Sequence, residues 1–196
     1  NFTIVDLLTH RSGLGLGAGD LMIFPDGADF TIKDVLNSFQ HQKSTSAFRT
    51  KYDYDNLLYI VAGEIVVRIS GMSWGDFVKS RIFVPLSMNN SVPTSSRLQK
   101  NANLALPHDS EGKQIKQLPT YDSDLVAAAG GIYASVYDLS KWMIMQLNNG
   151  KYGMELSNEL FSETQQNEMW KPHTNTGFTT KPNPRTNSHF SAYGLG

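Results

Sequence analysis

The sequence has no cysteine in its 196 residues. That excludes disulfides, thiolate metal sites and a cysteine nucleophile. It leaves the redox compartment open. An excess of charge of either sign is also missing: 17 Lys and Arg stand against 18 Asp and Glu, for a formal net charge of −1. Such a balance offers no electrostatic footprint for nucleic acid or an anionic membrane. No run reaches the ~18 uninterrupted apolar residues of a membrane helix. The richest stretch, Leu57 to Val67, is shorter and contains Glu64. The five histidines show no metal-ligand spacing, so no metal or other cofactor is expected. His10, just after an apolar run, is better read as a helix-end residue than as a ligand.

Hydrophobic residues make up 40 % of the chain, enough for a sizeable core in one domain. Helix starts are well marked. Thr3/Asp6, Thr31/Asp34, Ser73/Asp76, Ser135/Asp138 and Ser162/Gln165 each place a hydroxyl three residues before a carboxylate or amide. The hydroxyl can accept from an early backbone N–H, and its partner can reach back to the cap residue. The chain is therefore expected to be mainly α, one mostly helical region over residues 1–196. The apolar period predicts helices at 56–70, 73–84, 135–149 and 162–170, the third with Leu139, Met143 and Leu147 on one face. Asn89–Gln117 and His173–Ser188 read as loops. Strand signals are thin, at Gly131–Ala134 and near Tyr193. Trp74, Trp142 and Trp170 read as core or rim anchors.

Three motif matches fail on context. Gly71-Met-Ser73-Trp-Gly75 fits the nucleophile elbow, but that elbow needs a preceding strand, and a helix is expected there. Gly71 and Ser73 are explained as a helix stop and the next N-cap. Ser110-Glu-Gly-Lys113 fits S-x-x-K, which must sit on a helix; Gly112 and polar neighbours suggest a solvated turn instead. Gly13-Leu-Gly15-Leu-Gly17-Ala18 imitates a dinucleotide loop, yet it follows a capped helix, and Pro25 interrupts what comes next. Tyr52-Asp-Tyr54-Asp55-Asn56 differs from these. Directly before the strongest helix, it can point a phenol and a carboxamide into one cleft. On these residues alone the preferred reading is a packed Tyr and a capping Asn.

A resemblance shifts this balance. Thr3-Ile-Val-Asp-Leu-Leu-Thr-His-Arg-Ser-Gly13 resembles the "T-x-x-x-L-L-T-H-T-S-G-L" segment of the serine β-lactamase and penicillin-binding-protein-like family, in the branch with class C β-lactamases, D-alanyl-D-alanine carboxypeptidases and esterases. Tyr54-Asp-Asn56 resembles its Y-x-N motif. Phe77 to Met88 resembles "F-x-x-x-x-I-F-x-P-L-G-M", Ala129 to Ser135 with Asp138-Leu139 resembles "A-G-G-L-x-S-T-x-x-D-L", and Tyr193-Gly-Leu-Gly196 resembles "Y-G-L-G".

The resemblance implies the helical central portion of an α+β fold whose antiparallel sheet lies mostly outside this chain. It implies acyl transfer through a serine ester on a β-lactam, a D-Ala-D-Ala-type peptide or an ester. Tyr54 would be the catalytic proton shuttle and Asn56 would bind the substrate amide. The S-x-x-K and K-T-G or H-x-G motifs are expected beyond the two ends, so the chain alone is expected to be inactive. Asp55 takes the place of the family's usual Ser or Ala and is expected to point outward. Exposed apolar surface, with possible self-association, and an extracytoplasmic location follow from the same resemblance. A catalytically silent module that binds cell-wall peptides or a protein is the alternative.

Overall fold

In a computed structural model the chain is described at residues 1–24, 29–99, 103–112, 114–120, 124–182 and 184–196. Each of the five hydroxyls marked in the sequence accepts from the backbone N–H three residues on and opens a helix. These are α1 (Ile4–Leu8), α2 (Ile32–Ser38), α4 (Trp74–Val78), α6 (Val136–Leu147) and α7 (Glu163–Trp170). The box is reciprocal at Thr3, Thr31 and Ser162. Asp138 is an exception with a purpose. Its buried Oδ2 accepts from Asn90 N at 2.7 Å and Ser91 Oγ at 2.8 Å, tying the loop after α4 to α6. Burial alone would raise its pKa, but these bonds and Lys141 hold it below the usual value.

The longest helix, α3 (Asn56–Ser70), has the bounds the apolar period sets. Gly71 ends it in the left-handed region at φ 68°. α4 then turns away, continued by one wide helical turn at Lys79–Phe83, with a 76° bend between the two helical stretches. No described helix is by itself long and apolar enough to cross a membrane.

Two apolar clusters flank α3. On one side Ile23, Val35, Leu57 and Ile60 pack with Phe39, Leu125 and Ala129. Near α4 and α6, Val78, Phe83, Leu86, Met88 and Met145 pack with Trp74, Trp142 and Phe161. Each fully buried leucine contributes about 1.5–3 kcal/mol of burial free energy. Between α3 and the short helix α5 (Ala127–Gly130), the backbones come so close that a Cβ on Gly63 would sit 2.4 Å from Ala128 Cβ.

The strands form three antiparallel pairs among the described residues. These are β1 (His108–Glu111) with β2 (Gln114–Gln117), β3 (Lys151–Tyr152) with β4 (Asn158–Glu159), and β5 (Thr174–Phe178) with β6 (Phe190–Tyr193). The β1–β2 pair and strand β5 fall in segments whose sequence reads as loop, whereas β6 lies at the strand signal near Tyr193. β2 is exposed along its whole length, so no apolar alternation marks it. The strand expected at Gly131–Ala134 is reduced to a single bridge between Val92 and Tyr133. The stripe of Leu139, Met143 and Leu147 shares a face of α6 but is not core: the three are 44, 59 and 81 % exposed. The buried positions of that helix are Asp138 and Met145. Of the tryptophans, Trp74 and Trp142 join the core and Trp170 lies on the surface.

Gly63→Val should force α5 away from α3 and destabilise the protein by about 1–3 kcal/mol, the usual cost of overpacking. A chemical-denaturation midpoint unchanged from wild type would contradict the close approach.

Candidate functional site

The segment 49–56 carries the site and is held from both sides. Along one side runs the end of α1. Arg49 N donates to Arg11 O at 3.0 Å, and Asp53 N donates to His10 O at 2.9 Å. The Arg49 side chain makes two bonds of 2.8 Å to the two carboxylate oxygens of fully buried Asp6. Arg11 adds a third at 3.1 Å. The Arg49 bonds outweigh burial and hold the Asp6 carboxyl well below the usual carboxylate range.

The glycine-rich loop lies along the other side. Gly17 N donates to Tyr54 O at 2.8 Å. Gly19 rests on the first turn of α3, where an added Cβ would come within 2.1 Å of Leu57 Cδ1. This loop follows α1 and leads into a short 3₁₀ turn at Asp20–Met22, not into a phosphate-binding helix. The Gly13–Ala18 run therefore clamps a main chain. Pro25 lies outside the described residues.

Tyr54 is 38 % exposed and Asn56 is half-buried beside it. The two thus share one end of α3, as the Y-x-N spacing anticipates. Asn56 is not the N-cap. Asp55 is, with its Oδ1 accepting from Leu57 N at 2.8 Å. The Asn56 side chain is free for another role and donates through Nδ2 to Asp20 Oδ1 at 3.2 Å. A carboxylate oxygen only accepts, so this bond fixes the carboxamide flip. Asp55 itself corrects an expectation. It points inward and is fully buried, because capping α3 requires its carboxyl beneath the helix start. Burial pushes its pKa up to about 7.

Behind Tyr54 stands an aromatic nest that the motifs did not announce. The His10 ring is fully buried, 4.5 Å from the ring of Tyr54 and 4.9 Å from that of Tyr59. Tyr52 and Tyr193 approach it edge-on. Tyr59 donates to Leu8 O at 2.8 Å. Thr174, on β5, donates to Thr9 O and so brings the β5–β6 pair against the end of α1. Burial, Tyr193 and Asp20 together raise the Tyr54 pKa above the ordinary phenol value. Burial likewise lowers His10 to about 4. His10 does follow α1, as a helix-end residue should. Its burial among four tyrosines has no local signal in the sequence, since Tyr52, Tyr54, Tyr59 and Tyr193 reach it from distant segments.

The other serine candidates are elsewhere. Ser73 caps α4 and bonds to Asp76 Oδ2 at 2.6 Å, directly after a helix, so the elbow geometry is absent. Ser110 sits on β1 opposite Ile115, not on a helix, and Lys113 lies outside the described residues.

Asp55 yields a signed pH effect. Its folded pKa, about 7, exceeds its unfolded value, 3.8. Its stabilising contribution is therefore complete below the unfolded pKa and lost as pH rises through the folded one. Asparagine caps helices equally well and does not titrate. Asp55→Asn should therefore gain stability relative to wild type between about pH 4 and pH 7, then run parallel to it. Parallel unfolding free energies across that whole range would show that the Asp55 carboxyl is not perturbed.

The chain is 27 % identical over 149 residues to an unguisins hydrolase, ungD', of Aspergillus campestris, covering 72 % of this chain and 27 % of that protein. It is 26 % identical over 153 residues to penicillin-binding protein 4 of Amycolatopsis lactamdurans, covering 76 % and 39 %. The chain thus spans well under half the length of these curated relatives. Among solved structures, it matches the octameric penicillin-binding protein homologue from Pyrococcus abyssi with a TM-score of 0.75 and 22 % identity, over 98 % of this chain and 42 % of that one. It matches the D-amino acid amidase from Ochrobactrum anthropi SV3 with a TM-score of 0.70 and 18 % identity, over 98 % and 54 %. Identities this low speak for the fold alone. A family profile described as Beta-lactamase covers residues 1–195, and by that match over nearly its whole length the chain belongs to the beta-lactamase family.

Proposed function

We propose that this chain supplies the tyrosine–asparagine arm of a serine hydrolase working through an acyl-serine intermediate. The observation that carries the reading is the pairing at the start of α3. A phenol more than one third exposed stands beside a carboxamide of fixed flip, on a segment clamped by α1 and the glycine loop. Acyl transfer needs a group that can take a proton from the attacking hydroxyl and return it to the leaving group.

On this reading a serine Oγ attacks the carbonyl carbon of a β-lactam, D-amino acid peptide, amide or ester. Tyr54, as phenolate, takes the hydroxyl proton and passes it to the departing nitrogen or oxygen. Water then attacks the acyl ester, gives its proton to Tyr54, and Tyr54 reprotonates the serine. Asn56 receives the substrate amide. A free phenol with a pKa of ~10 is about one part in a thousand ionised at pH 7, and the surroundings of Tyr54 raise that pKa further. The step therefore requires a nearby cation, the role the resemblance gives to the lysine of S-x-x-K. The reading assigns serine, lysine and most of the sheet to sequence flanking these residues, and it makes the chain inactive alone. The hydrolase relative and the beta-lactamase family match support this chemistry class.

Tyr54→Phe in the full-length protein carrying this chain should lower kcat for a chromogenic ester or D-amino acid anilide by about 10²–10⁴-fold, the usual worth of a positioned proton-transfer group. Turnover equal to wild type would remove Tyr54 from the chemistry. Ligand binding without any turnover in wild type would favour a silent binding module.

A further inference from the structure

We propose that His10 is a positioning residue for the Tyr54–Asn56 arm, acting as a permanently neutral imidazole whose Nδ1 accepts the Asp55 backbone N–H. This rests on the proposed function of Tyr54. The bond measures 3.1 Å and joins two fully buried residues. A backbone N–H only donates, so Nδ1 carries no proton, and in the neutral ring the proton sits on Nε2. Protonating Nδ1 would set two donors against each other. The same residue accepts through its carbonyl from Asp53 N at 2.9 Å. His10 thus holds the Tyr54–Asp55 peptide and, one residue further back, the Tyr52–Asp53 peptide, while its ring packs 4.5 Å from the phenol ring. One residue sets the height, the tilt and the following peptide of the proposed proton shuttle.

Two costs show that the position is specified. His10 has φ 53°, in the left-handed region, where Asn, Asp and His are the better-tolerated non-glycine residues. Its Nε2 is buried with no hydrogen-bond partner. Unpartnered buried polar atoms and positive φ both cost free energy, and a simple aromatic filler would avoid the first. The acceptor at Nδ1 is what phenylalanine could not provide. Burial, which lowers the His10 pKa to about 4, keeps the ring neutral across the working range. His10 therefore gives Tyr54 no positive charge, and the activating cation must approach from the open side of the phenol.

The test separates acceptor from ring. Asparagine tolerates the backbone angle and can put Oδ1 near the position of Nδ1; phenylalanine keeps a ring and loses the acceptor. In the full-length protein, His10→Phe should lower kcat about a hundredfold, the scale of loss for a misplacement of about 1 Å, with KM changing far less. His10→Asn should recover most of that loss. Equal losses in the two variants, or none in His10→Phe, would overturn the role. Nitrogen-15 NMR of the wild-type full-length protein, selectively labelled at histidine, gives a reading independent of turnover and of whether either variant folds. The expected spectrum has Nε2–H, an unprotonated Nδ1 and no titration down to about pH 5. An Nδ1–H tautomer, or a ring titrating near the ordinary histidine value, would refute the proposal. If Tyr54→Phe leaves turnover intact, the functional reading falls, while the spectrum still decides the state of His10.

Discussion

The hydrogen bond from the Asp55 amide to the buried His10 ring is the constraint around which the site is arranged. It fixes the peptide between Tyr54 and the N-cap residue of α3, Asp55. From there the consequences are local. Asp55, anchored by its amide, turns its carboxyl under the helix and caps Leu57. With the cap taken, the Asn56 side chain swings to Asp20. Tyr54, with its carbonyl held by Gly17 and its ring against His10, has only its outer part in solvent. Each residue of the motif has one job because its neighbour has taken another.

Electrostatics divides the region in two. At the far end of segment 49–56, two arginines compensate buried Asp6 and lock the segment to α1. Near Tyr54 the balance runs the other way. His10 is neutral, the Asp55 carboxyl is pushed toward neutrality, and the phenol is held in its protonated form. Charge supports the scaffold, whereas desolvation governs the candidate site. On the proposed function, a proton shuttle in such a place would be idle until a cation arrives.

Much of this was legible in the sequence. The five helix starts could be read because a cap is a local event: a hydroxyl and its own N–H three residues on need no help from the rest of the chain. The bounds of α3 were legible because Leu57 and Ile60 recur at helical spacing and face one core while Gly71 stops the helix. The period of α6 was legible too, but which side of it is buried was not. Leu139, Met143 and Leu147 stay exposed because core contacts on other segments select Met145. The β1–β2 hairpin escaped notice since its exposed residues carry no alternation. At the site, Tyr54 and Asn56 were found through resemblance. The jobs of Asp55 and His10 were not, because they depend on contacts 45 residues apart in sequence.

The proposed function makes Tyr54 a shuttle set in place by these residues and activated by a cation from outside them. Its most direct test is the titration of carbon-13-labelled Tyr54, in the 196-residue chain and in the full-length protein. The phenol pKa should lie above the ordinary value in the chain, from burial, Tyr193 and Asp20, and lower in the full-length protein. A depressed pKa in the chain alone would place the activating cation within these residues. An equally raised pKa in an active full-length protein would contradict the shuttle.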